Sequence, residues 1–421
     1  MTSPLNFLPF ATPSKSFWIE EGPSTLKSHR TTPKLPVEAD VVIVGAGLSG
    51  TSVAHNLLYS KDKKFKGSIL MLDARDVSSC ASGRNGGHIR SYYHEHQHYF
   101  NQNYSQEIAA EIAIYEHNEK EKIKSLVNEL GIDCNYEDRS ACQTYDEPDT
   151  LPERLRDFYC YQSNPFIPES IKKQVTIHWV TSVTRVKGLD EIKWIVDTPR
   201  GKVITSHVVF ATNAYTKSIL PEFRDHILPV KGVVSHFKTP NQLPHNYYHT
   251  RTIESDYVTS QPGSIIAGGG KSTYLHYPTS LKMINSIDDG FVPSEAKEYF
   301  NGYVERNYKL FSQKNGGEFP CDYIWSGVMA YTDDDFPFVG SLENLGRDGC
   351  FILAGFTGHG MPRIWSCGEY IAQLVSGNTN DTEIVKIPQV FKLGMRMLGP
   401  QVGFLKDVEA FDWKNKGKFK L

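Results

Sequence analysis

Gly45, Gly47 and Gly50 form the pattern G-x-G-x-x-G directly after the apolar run Val41-Val42-Ile43-Val44. This order suits phosphate binding. Gly45 permits a tight turn, Gly47 lets the backbone approach a pyrophosphate, and Gly50 lets a helix pack close to the strand. Leu48 and Ser49 open that helix, whose N-terminal N–H groups and positive dipole end favour an anion. A second apolar run, Ile69-Leu70-Met71-Leu72, ends in Asp73, 23 residues past Gly50. A carboxylate at that distance accepts from a ribose hydroxyl and repels a 2′-phosphate. Asp73, Ala74 and Arg75 are therefore assigned with the turn to one dinucleotide site.

Elements must hold these groups in place. A strand over 39–44, a helix over 49–59 and a strand over 68–72 make one βαβ unit. A Gly/Ser/Asn/His loop over 78–98 follows. Apolar residues from Tyr104 to Leu130 recur at helical spacing, with Gly131 as the expected C-cap. Residues 132–170 read as irregular. Alternation over 175–186, 192–197 and 203–211 predicts strands. Short strands and turns fill 229–330, with a helix near 293–303. Cys350–Ala354 reads as a buried strand, followed by a glycine loop and a helix over 361–375.

Composition narrows the classes. The 421 residues allow two or three domains. A net charge of −3 gives no reason to expect nucleic acid or an anionic membrane as partner. No apolar run reaches membrane-spanning length. No secretory signal is read at the N-terminus. Seven scattered cysteines without a C-x-x-C pair fit a reducing compartment. The expectation is a cytoplasmic protein. A peroxisomal address is the alternative, from the tail Phe419-Lys420-Leu421, although Phe419 stands where a small residue belongs. His94, His96 and His98 would share one face of a strand. They lack acidic or cysteine partners at metal spacing, so a polar helix start or flap is expected, and no metal.

Nucleotide-fold elements thus occur early, in the middle and late, with a β-rich region between. In this layout four segments carry a resemblance. They are 40–50 with Asp73; Ala81-Ser82-Gly83-Arg84-Asn85-Gly86-Gly87-His88; Val208–Tyr215 followed by Pro229–Gly232; and Trp325-Ser326-Gly327, 335–340 and Ala354–Met361. Together they resemble the FAD-dependent amine and amino-acid oxidases that include D-amino acid oxidase, glycine oxidase and monomeric sarcosine oxidase. The nearest members are γ-glutamylputrescine-oxidase-like and uncharacterised fungal ones. The fold class implied is α/β, a Rossmann-type FAD-binding domain built from discontinuous segments. An inserted α+β substrate domain would carry a mixed or antiparallel sheet. The expected division is an N-terminal extension 1–38; an FAD-binding domain of 39–95, 171–228 and 325–380; a substrate domain of 96–170 and 229–324; and a C-terminal extension 381–421.

The resemblance also implies site residues. Ser82, Gly83, Arg84, Asn85, Gly86 and Gly87 would lie along the flavin. Val183 would bring backbone to the adenine, and Ala211, Thr212 and Asn213 would end a strand near the pyrophosphate. Gly327, Gly355, Thr357 and Met361 complete the cofactor set. Backbone N–H groups of Gly358, His359 and Gly360 would stabilise negative charge on the reduced flavin. The catalytic candidates are His88, near a family arginine position; Arg363, one residue past a family lysine; and His359. Arg84, Arg90, Lys231 and Lys271 are further candidates for a substrate carboxylate. Met329 occupies the place of a cysteine that some relatives join to the flavin, so no such thioether is expected. The helix that the family places between Tyr145 and Val175 is not found in the sequence.

The leading reading is an FAD-dependent oxidase of a small amine or amino acid, with O2 as acceptor. A dehydrogenase with a quinone or protein acceptor, a non-catalytic FAD-binding protein and an NAD-dependent dehydrogenase are the alternatives. Substrate identity and oligomeric state are left open.

Overall fold

The computed structural model describes residues 12–22, 24–59, 65–91, 95–139, 141–145, 151–172, 194–198, 200–251, 254–276, 278–311, 318–377 and 384–395. Two six-stranded sheets organise the chain. The first holds β1 (Glu38–Val44), β2 (Ile69–Leu72), β4 (Trp194–Thr198), β5 (Gly201–Phe210), β11 (Phe338–Ser341) and β12 (Cys350–Ala354). Its order is β11-β12-β5-β1-β2, and β4 pairs with β5. The pairs β1–β2, β1–β5 and β5–β12 are parallel. Val41, Val42 and Ile43 are completely buried, as are Val208, Val209 and Phe210. Near-continuous apolar runs are what a parallel sheet covered on both faces requires.

Helix α1 (Phe17–Glu20) lies in the lead-in, and α2 (Leu48–Tyr59) follows the glycine turn. Helix α2 packs on the helix Ile364–Val375. A Cβ on Gly368 would lie 2.3 Å from Ser52 Oγ, so the glycine is what lets the two helices touch. Ser52 Oγ also donates to Trp365 O (2.7 Å).

The second sheet holds β3 (Ala141–Tyr145), β6 (Leu228–Lys238), β7 (Asn246–Arg251), β8 (Glu254–Gln261), β9 (Ser264–Gly268) and β10 (Cys321–Tyr331). Its order is β10-β6-β9-β8-β7-β3, antiparallel except for β3–β7. A core of Val233, Phe237, Ile265, Phe300 and Tyr303 backs it. The α/β class, the discontinuous nucleotide fold and the mixed second sheet all stand as expected.

Helix α3 (Gln97–Asn103) leads into α4 (Gln106–Leu130). Ser105 Oγ accepts the Ile108 N–H at the start of α4, and Gly131 at φ +58° closes it. Two expectations change. Residues 132–170 are not irregular throughout, because β3 and the 13-residue helix α5 (Leu151–Ser163) lie there. The helix thought missing between Tyr145 and Val175 is therefore present. It buries Tyr161 against Ala110 and Ala113 of α4, with Ile167 and Ile171. The histidines do not alternate along a strand: His96 sits at φ +62° before α3, and His98 is inside that helix. His94, the expected strand over 175–186 with Val183, and the tail 419–421 lie outside the described residues. Among the described residues no group of three His, Cys, Asp or Glu could hold a metal, and no helix is long and apolar enough to cross a membrane.

Candidate active site

Strand β1 delivers the chain into Gly45, whose φ of +108° suits glycine. A Cβ there would lie 2.2 Å from Ala211 O, and one on Gly50 would lie 2.0 Å from Gly45 O. Both clashes are with backbone, which cannot swing aside. A Cβ on Gly47 would meet only Ser82 Oγ, at 2.9 Å. Ser82 Oγ accepts the Leu48 N–H (2.8 Å), which fastens the following loop to the helix start. Asp73 accepts from Ala46 N–H through Oδ2 (2.7 Å) and from Arg75 N–H through Oδ1 (2.9 Å), tying the end of β2 to the glycine turn.

A cleft opens over this turn. Gly45, Gly47, Leu48 and Ser49 of the turn and helix start line it, with Asp73 and Ala74 from the end of β2. Ser82, Asn85, Ala211, Thr212 and Asn213 line its sides, with Gly360 and Met361 beyond. A second cavity of about 650 Å³ shares Ser82, Asn85 and Met361 with the cleft. Its walls include Gly87, His88, Ile89, Trp18 and Thr259, with Lys120, Glu137, Asp138 and Arg139 farther along the chain. Thr259 Oγ1 donates to Gly86 O (2.8 Å) and lies 2.7 Å from His88 Nε2. The His88 ring also packs near Tyr248 and Tyr257. Burial, then the Arg90 cation, push the His88 pKa down to about 3, so the ring is neutral.

Other expected site residues make contacts within the protein. The Arg75 and Arg84 side chains both turn to the buried Asp289 carboxylate, at 2.9 and 3.3 Å. Gly83 O accepts from Ser16 Oγ (2.6 Å), and Gly86 abuts Tyr257. Gly327 allows β10 to approach Arg84. Gly355, at φ +74°, leaves room for Thr332, and Thr357 Oγ1 accepts the Thr332 N–H (3.0 Å). Gly358 lies against the Tyr331 hydroxyl. The His359 N–H is not offered to a ligand; it donates to Phe356 O (2.8 Å). The His359 ring is completely buried, 3.2 Å from Glu116 Oε1, and burial holds its pKa well below the ordinary histidine range. Arg363 is 1% exposed and donates through Nε to Glu116 (2.7 Å), so it is not presented to a substrate carboxylate. Arg90 is paired with Glu95 (2.6 Å), and Lys231 Nζ donates to Asp288 O (2.6 Å). Met329 packs beside Gly232 in the second sheet.

Some lining groups carry no motif. Cys80 faces the cleft with its Sγ 2.9 Å from Arg75 Nη2, and Tyr215 stands near it. Trp18, Arg139 and Thr259 line the cavity from three distant parts of the sequence. Cys80 adjoins the 81–88 loop, so adjacency was its only signal; Tyr215 closes the Val208–Tyr215 segment that carries the resemblance.

The family model described as DAO, FAD dependent oxidoreductase, matches residues 40–170 and 169–374. The chain belongs to the DAO family. Its cofactor is FAD, and the cleft fits that group. Side chains on Gly45 or Gly50 would collide with backbone, a carboxylate stands at the end of β2, and Leu48 and Ser49 at the helix N-terminus line the cleft. This DAO-family chain is 21% identical over 391 aligned positions to γ-glutamylputrescine oxidoreductase of Escherichia coli strain K12, covering 81% of this chain and 84% of that protein. Two solved structures share its fold. Glycine oxidase from Geobacillus kaustophilus superposes with a TM-score of 0.62 at 15% identity, covering 87% of this chain and all of that one. L-amino acid deaminase from Proteus vulgaris, with its specific insertion deleted, gives 0.61 at 16%, covering 89% and 98%.

Proposed function

We propose that this chain is an oxidase of amines or amino acids, passing the electrons to O2. The observation that carries the reading is the meeting of two cavities at Ser82, Asn85 and Met361. In this reading the glycine turn and Asp73 hold the nucleotide end of FAD, and the shared residues border its redox ring. Gly87, His88 and Thr259 border the substrate beside it.

The chemistry FAD supplies when bound is two-electron acceptance, the equivalent of a hydride from the carbon bearing the amine. The substrate loses that hydride and a proton from nitrogen, and water hydrolyses the imine. The two electrons and two protons then reduce O2 to H2O2. The protein's part is to position and to exclude. His88, held neutral, adds no charge beside the amine and does not titrate near neutral pH, so the proton lost in forming the reactive, uncharged amine is the amine's own. Thr259, anchored on Gly86 O, fixes the ring of His88 against the 86–88 loop. The substrate-side sheet contributes Asn246, Thr259 and Ser260 to the cavity wall.

Anaerobic titration with amines and amino acids tests the reading. Loss of the visible flavin absorbance, followed on admission of air by recovery with one H2O2 per turnover, is the expected result. Recovery with a quinone but not with air makes the protein a dehydrogenase. No bleaching with any amine or amino acid refutes amine oxidation.

A further inference from the structure

Residues 12–22 lie across the Ser82–Gly87 loop as a strap. Ser16 Oγ donates to Gly83 O (2.6 Å), and Trp18 Nε1 donates to Asn85 O (2.7 Å). Ser14 Oγ accepts from the Ser326 N–H (3.1 Å) and from Arg84 Nη1 (3.2 Å). The Phe17 ring stacks on His236, with centroids 3.8 Å apart and planes at 10°. Glu21 accepts from the Tyr323 hydroxyl (2.6 Å). Gly87, at φ +77°, has no Cβ where one would lie 2.8 Å from Trp18 Cζ2, so the loop leaves room for the indole.

We infer that Trp18 is a specificity-determining wall of the substrate cavity and contacts an apolar arm of the amine; the inference rests on the oxidase reading above. Trp18 is half-buried and lines the cavity beside His88 and Met361. An indole has one polar hydrogen, and here it is spent on Asn85 O. What remains for a substrate is the ring's apolar surface, with Ile89 and Met361 on the same cavity. The cavity's two cations are neutralised nearby: Arg139 lies 3.5 Å from Glu137, and Lys120 lies 3.6 Å from Asp138. An uncharged hydrocarbon or aromatic arm matches this wall better than a charged one. The strap's hydrogen bonds fix the indole before the substrate arrives, so little ordering is left for binding.

The test compares ethylamine with benzylamine in the FAD-loaded wild type, Trp18→Ala and Trp18→Phe. Both kinetics and equilibrium binding by calorimetry are measured. Trp18→Ala should weaken benzylamine about tenfold more than it weakens ethylamine, chiefly in KM. Trp18→Phe should fall between, and carries the test if the alanine variant does not retain FAD. Equal losses for both amines, or none, overturn the wall. If neither amine is oxidised yet benzylamine binding still falls in the variants, the wall stands, and the oxidase reading is decided separately by the anaerobic titration.

Discussion

Arg363 and Glu116, 247 residues apart in sequence, meet at 2.7 Å with both side chains essentially buried. The pair joins α4 to the loop that ends in Gly360 and Met361, and it sets where that loop meets the cofactor cleft. His359 lies against the same carboxylate. Glu116→Gln removes a negative charge from beside the buried Arg363 guanidinium. The expected cost is about 3–5 kcal/mol of stability, with FAD released at lower denaturant. Urea denaturation followed by flavin fluorescence measures both. A loss below about 1 kcal/mol, the range of exposed pairs, would show that the pair holds nothing in place.

The glycine turn predicts two different outcomes. In Gly50→Ala the new methyl faces Gly45 O at 2.0 Å, and backbone must move. Destabilisation of about 1–3 kcal/mol or more is expected, with purified protein lacking flavin colour. In Gly47→Ala the neighbour is the Ser82 hydroxyl at 2.9 Å, on a side chain that can rotate. That variant should fold and lose affinity for FAD by about tenfold, about 1.4 kcal/mol. Titration of each apoprotein with FAD separates them. Unchanged affinity in Gly47→Ala removes that glycine from the cradle.

Glu119 is buried between α4 and the helix Ile364–Val375, and accepts from Ser366 N–H (2.9 Å) and the Ser366 hydroxyl. Burial pushes its pKa up to about 7 from 4.5. Between these values the folded protein keeps a proton that the unfolded chain has released, so stability falls as pH rises through the window. Glu119→Gln should remove that part of the fall. Thermal unfolding from pH 4 to pH 8 gives the comparison: the two Tm curves should converge at low pH relative to their separation at high pH. Parallel curves refute the assignment.

His88 carries the opposite sign. Its folded pKa of about 3 lies below the 6.5 of a free side chain. Between them the unfolded state takes up a proton that the folded state refuses, so stability falls as pH drops through that window. In turnover the ring stays neutral from pH 5 upward. The pH profile of flavin reduction should follow the amine's own pKa and move when an amine of different pKa is used. A fixed inflection near pH 6–7 that vanishes in His88→Gln would contradict a neutral ring.

The sequence shows the βαβ unit because its signals are local: four β-branched residues, three glycines and Asp73. Helix α4 is legible for the same reason, with Gly131 as its stop. Helix α5 was hidden. Its sequence, LPERLRDFYCYQS, is polar, carries Pro152 in its first turn and is followed by Pro165 and Pro168. Its anchor is Tyr161 packed on α4, a tertiary contact that local pattern does not display. Arg363 reads as a site residue because it lies near a family lysine position, and His359 because it sits in the glycine loop. Their actual partner, Glu116, looks like one more charge on a solvated helix until the fold buries it. Trp18 gave no signal, since its place depends on Asn85 and Gly87.

The strap sets an order of assembly. Ser14 leaves the ribosome early, yet its partners Asp289 and Ser326 come some 300 residues later. At about 5–20 residues per second that delay is roughly 15–60 s. Strand β12, which completes the parallel sheet beside β5, comes later still. A nascent chain thus shows its phosphate turn long before it can wall the cavity beside it. A chain stopped before β12 would lack Gly360, Met361 and Ile364 of the cofactor cleft, although every residue of the second cavity's wall except Met361 would already be made.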